Sequence, residues 1–170
     1  MASLMEDLID VLGKEEEQYQ GLIELGKKKR EVVIKADIKT LDEITAEEQN
    51  VASNLANLAK RRNSVLNDMA TVLGKDPKDI TVTKMISYLE GQPEEQKKLM
   101  EVKERLLETG KEMSAINSQN EVLLKQALEM VEFDLTLLKS MRQAPETANY
   151  NKNAYNTGEL LGSSGFDAKQ

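Results

Sequence analysis

Leu4, Leu8, Val11, Leu12, Tyr19, Leu22 and Ile23 recur at spacings of three and four, the period of a helix with one apolar face. Ser3, with Glu6 three residues on, reads as a capping box, so the spacing predicts a first helix over 3–35. The pattern loosens at Gly26 and the basic run Lys27–Arg30, then resumes at Val33. Asp37 is the next N-cap candidate. From there Leu41, Ile44, Glu48, Val51, Leu55, Leu58, Arg62, Val65, Met69 and Val72 keep a heptad seam over 37–73, with Glu48 and Arg62 as polar interruptions. Thr45 followed by Glu48 could restart the helix, which would kink it there. Gly74 and Asp76-Pro77 end the element. Val82, Met85, Ile86 and Leu89 mark a short helix over 81–90, stopped by Gly91. Pro93, Glu94 and Glu95 open a last helix over 93–142, with no breaker before Pro145.

Short connections between long helices make antiparallel neighbours. The fold predicted is all-α: an elongated up-down-up bundle of three long antiparallel helices with coiled-coil packing. A short helix sits at the second turn, the bundle spans 1–142, and a flexible C-terminal tail covers 143–170. The last helix changes character along its length. Leu99, Val102, Leu106, Met113 and Ile116 form a narrow stripe. After about residue 120 two flanks appear: Leu124, Leu128, Val131, Leu135 and Leu138 on one, Leu123, Met130, Phe133, Leu137 and Met141 on the other. Together they cover roughly 220° of arc at 100° per residue. A helix facing two neighbours inside a bundle needs such a face, and so does a helix that leaves one flank open to a partner's amphipathic helix. The open-flank reading places a partner site on Leu124, Leu128, Val131, Phe133, Leu135, Leu137, Leu138 and Met141, without saying which flank is open.

Composition narrows the chemistry. The 170 residues include no Cys, His or Trp, which removes disulfides, the usual zinc sites and His-based nucleophile pairs. No cofactor or metal is predicted, and the chain does not read as an enzyme. With 23 basic and 30 acidic side chains the formal charge is −7, which argues against a nucleic-acid partner. The apolar runs are too short for membrane insertion, and the acidic start Met1–Asp7 predicts no secretory leader. Gly21–Lys28 approaches a P-loop, but Lys28 stands where a hydroxyl is needed and the segment lies in a helical pattern with no strand before it. Glu15-Glu16-Glu17 fan out around a helix and read as solvated. Lys27–Arg30, flanked by Glu24 and Glu31, read as a solvated helix end.

Three stretches resemble the FlgN family of flagellar export chaperones: the junction Lys35-Ala36-Asp37-Ile38-Lys39-Thr40-Leu41, the run Asn120-Glu121-Val122-Leu123-Leu124 leading to Phe133, and a tail with Tyr155 ahead of a Gly/Ser segment and Phe166-Asp167-Ala168-Lys169. The resemblance implies a cytoplasmic type III export chaperone without catalytic activity. Its clients would be the hook–filament junction proteins FlgK and FlgL, held by their C-terminal helical segments and delivered to the export gate protein FlhA. Half of the chain's six aromatics lie in the last 28 residues. There Tyr150, Tyr155, Leu160, Leu161 and Phe166 could dock on the gate as a short motif, or fold back over the client groove. The alternative reading of the whole chain is a structural coiled-coil adaptor that self-associates through its apolar helix face.

Overall fold

The computed structural model describes residues 1–147, and side chains as far as Arg142. It is all-α, with α1 (Ala2–Ile34), α2 (Ile38–Val72), α3 (Val82–Tyr88) and α4 (Pro93–Thr147), and a 3-10 turn at Pro77–Asp79. Among the described residues there is no strand. The chain divides into two compact units, Met1–Leu124 and Lys125–Gln170.

In the first unit, α1 and α2 pair in opposite directions: Arg62 reaches Glu15, Asn54 reaches Gln18, and Lys29 reaches Glu48. The joint between them takes three residues. The amide of Asp37 donates to the Val32 carbonyl and that of Ala36 to Val33, a Schellman closure of α1. Asp37 then caps α2, accepting from the Thr40 hydroxyl at 2.6 Å and the Thr40 amide at 3.1 Å. These bonds hold its carboxyl below the usual carboxylate range. The end of α2 repeats the closure, with Lys75 donating to Ala70 and Gly74 to Thr71; Gly74 takes the left-handed φ of 67° that the motif requires.

Several expectations are corrected. Ser3 does not cap α1. The helix begins at Ala2, with Met1 as N-cap and no side-chain cap, because the Met1 carbonyl already accepts from Met5 and Met1, Leu4 and Met5 join the core. Thr45 does not restart α2: its hydroxyl donates to the Leu41 carbonyl inside a continuous helix. Val72 leaves the seam and is 60% exposed, while its neighbour Leu73 packs on the core. The short helix is shorter than predicted, with Thr81 as N-cap and Leu89 as C-cap. α4 continues past residue 142, through Pro145, to Thr147.

The main core brings together Met5, Leu8 and Leu12 of α1, Val65, Leu66 and Met69 of α2, Met85 and Leu89 around α3, and Leu99 and Val102 of α4. The loop-borne α3 is thus a core element, since Met85 is fully buried. Farther along, α1 and α4 approach closely at Gly26, where a Cβ would lie 2.6 Å from Ile116 Cγ2. Asn120, buried there, donates to the Gly26 carbonyl at 2.8 Å.

Candidate functional site

The site is built on the part of α4 that lies in the second unit. Between Leu128 and Met141 every residue is exposed. Leu128, Met130, Val131, Phe133, Leu135, Leu137, Leu138 and Met141 range from 49% exposed (Leu137) to 69% (Met130). From Leu128 onward, residues of both flanks are exposed, while Leu123 and Leu124 at their start are half-buried. Leu124 belongs to the first unit and is half-buried. The contrast with Leu99 and Val102, buried on the same helix, separates the two halves of α4 in kind. Eight large apolar side chains over four turns are thus exposed together. Charges punctuate it at Lys125, Glu129, Glu132, Asp134, Lys139 and Arg142. The two Met side chains can repack against differing surfaces. Tyr150, Tyr155, Leu160, Leu161 and Phe166 lie outside the described residues.

The first unit carries polar contacts that periodicity alone misses. Glu15 is 3% exposed, against the solvated reading of the acidic triplet, and both its carboxylate oxygens accept from Arg62 Nη1, at 2.8 and 2.9 Å. Burial raises the Glu15 carboxyl above the usual range, while the guanidinium's charge and hydrogen bonds pull the other way. Glu48, the second interruption of the seam, meets Lys29 at 2.9 Å. Both heptad interruptions are thus interhelical ion pairs, and an opposite charge on the facing helix was the available signal. Glu16 is half-buried, with Arg105 of α4 at 3.6 Å. Beside Asn120 lies an open groove of about 370 Å³ lined by Leu22, Lys29, Glu48, Ala52 and Leu124 among others. The P-loop-like Gly21–Lys28 is continuous helix with Gly26 buried against Ile116, so its amides are committed within the helix rather than turned toward a phosphate. Among the described residues no helix is long and apolar enough to cross a membrane.

Comparison with protein families gives one result: the model of the family described as FlgN protein matches residues 1–158. The chain belongs to the FlgN family. The match takes in all four helices and reaches into the second unit. FlgN proteins are flagellar export chaperones, a family not known for catalysis. Neither the curated proteins nor the solved structures gave a match.

Proposed function

We propose that this FlgN protein is a cytoplasmic chaperone that binds the C-terminal helical segments of hook–filament junction proteins of the FlgK and FlgL type. It keeps them from assembling early and delivers them to the export gate protein FlhA. The observation that carries the reading is the uncovered face of α4, with Leu128, Val131, Phe133, Leu135, Leu137, Leu138 and Met141 about half exposed or more. A junction-protein helix that packs only in the finished filament has an apolar stripe to hide beforehand, and an apolar helix face masks such a stripe. The scaffold in this reading is an up-down-up bundle of three long helices with coiled-coil packing. Opposed pairings between α1 and α2 support it, as do the ascending pairs Glu16–Arg105 and Gly26–Asn120 between α1 and α4.

Light scattering behind size exclusion tests the client site. The protein with FlgK or FlgL should give a one-to-one complex. Leu128→Gln with Leu135→Gln, or Met130→Gln with Leu137→Gln, should abolish it and leave thermal unfolding of the free protein unchanged. Wild-type affinity in both double variants would sink the site. For the tail, a chain ending at Arg142 should bind client normally and FlhA poorly. Tighter client binding instead would assign Tyr150, Tyr155, Leu160, Leu161 and Phe166 to covering the groove.

A further inference from the structure

The uncovered part of α4 carries a heptad of its own. Leu128, Val131, Leu135 and Leu138 are spaced three, four and three apart, which sets Leu128 and Leu135 at a positions and Val131 and Leu138 at d. All four are more than half exposed. The same frame puts Asp134 at g and Lys139 at e, and both are exposed. In a parallel, in-register pair, g faces the partner's e five residues further on. Asp134 then meets Lys139 of the second copy, and two-fold symmetry makes the contact twice. The preceding pair is Ala127 with Glu132, so no like charges oppose one another across the g and e positions from 127 to 139; Arg142, at the next a position, faces its own copy and trims the stability of the pair. Antiparallel pairing sets g against g instead. Matching Leu128 with Leu138 and Val131 with Leu135 would then bring the two Asp134 carboxylates together, at a cost.

We propose that this face is a self-association surface on which two copies of the chain pair in parallel and in register. Charge selects the direction, and the a and d side chains supply the contact. Two heptads fall short of the roughly 1,200–2,000 Å² buried by stable interfaces, so the pair is weak and reversible, with a Kd on the order of 100 μM. The inference does not rest on the client reading, because the chain alone tests it.

Sedimentation equilibrium of the full chain from about 1 μM to 1 mM should show a monomer–dimer equilibrium in that range. Asp134→Lys and Lys139→Asp should each weaken it about tenfold, since each turns two attractions into two repulsions. The double variant should recover the parent affinity. The chain has no cysteine, so Arg142→Cys, at the next a position, gives a clean probe of direction. In a parallel in-register pair the two sulfurs come within disulfide reach, whereas an antiparallel pair sets a against d. A chain that stays monomeric to 1 mM would overturn the proposal. So would a dimer indifferent to the single charge reversals, or one that the Arg142→Cys variant does not cross-link. A chain that dimerises only when residues 148–170 are removed would give the face to those residues, and one that gains mass only with FlgK or FlgL would give it to the client alone. Either result refutes the pairing.

Discussion

Ala36 takes a φ of 54° in the closure of α1, a backbone that costs an L-residue roughly 1–2 kcal/mol and glycine much less. Ala36→Gly should therefore stabilise the protein by about 0.5–1 kcal/mol, visible as a higher urea midpoint at unchanged slope. The Glu15–Arg62 pair makes a second prediction. Removing Arg62 leaves a carboxylate that is 3% exposed without its partner. Arg62→Met should cost about 2–4 kcal/mol at pH 7, somewhat less than a fully buried pair because Arg62 is itself partly exposed. Glu15→Gln should cost much less, since a neutral amide needs no counter-charge. The sign with pH follows from the raised carboxyl. The native state then holds the Glu15 proton more tightly than the unfolded chain, so this group's stability is fully present below the unfolded value of about 4.5 and is lost as pH rises through the folded one. Glu15→Gln should remove that slope from denaturation midpoints measured across the mildly acidic range, and an unchanged slope would contradict the assignment. Arg62 and Glu48 were legible in the sequence as breaks in a seam. Opposite charges on α1 were there to be read, but their pairing with these two residues was not, because a period identifies a helix face without naming the side chain opposite.

At the scale of elements, the sequence placed the four helices within a few residues. It missed where local packing outbids local signals, as when Ser3 loses its cap because Met1 and Leu4 are drawn onto the core. Gly26 shows the same limit. It read as a tolerated break in α1, yet its missing side chain lets Ile116 of α4 come up against the backbone. Gly26→Ala gains helix propensity of up to about 1 kcal/mol and meets a β-branched side chain that cannot swing away. Overpacking should win, for a net loss of about 1–2 kcal/mol. Because the two residues touch, combining it with Ile116→Ala should cost less than the sum of the single variants, as a double-mutant cycle by urea unfolding would show. The open half of α4 predicts the opposite behaviour. Phe133→Gln and Leu135→Gln should change unfolding by no more than about 0.5 kcal/mol, while Leu8→Ala, in the core, should cost about 2–5 kcal/mol.

For the molecule as a whole, the widening of the apolar arc marked where α4 changes character, yet it could not tell a helix packed between two neighbours from one with exposed side chains all round. Both need the same pattern, and only the exposure of residues such as Leu128 and Phe133 separates them. The main core was legible as helix faces but not as an assembly, since periodicity does not report that Met85 of a seven-residue helix is fully buried.

The make-up of that core has a consequence for the order in which the protein takes shape on the ribosome. Leu8, Leu12, Val65 and Met69 can meet as soon as α2 is made, for helix pairs with local contacts form in well under a second. Leu99 and Val102, which complete the cluster, follow Met69 by up to 33 residues, about 2–7 s of synthesis. During that interval the α1–α2 hairpin stands with one side uncovered. Residues 128–141 are translated after Val102. Their apolar side chains thus arrive when the hairpin's own covering strip is already in hand, and do not compete for the place that Leu99 and Val102 must fill.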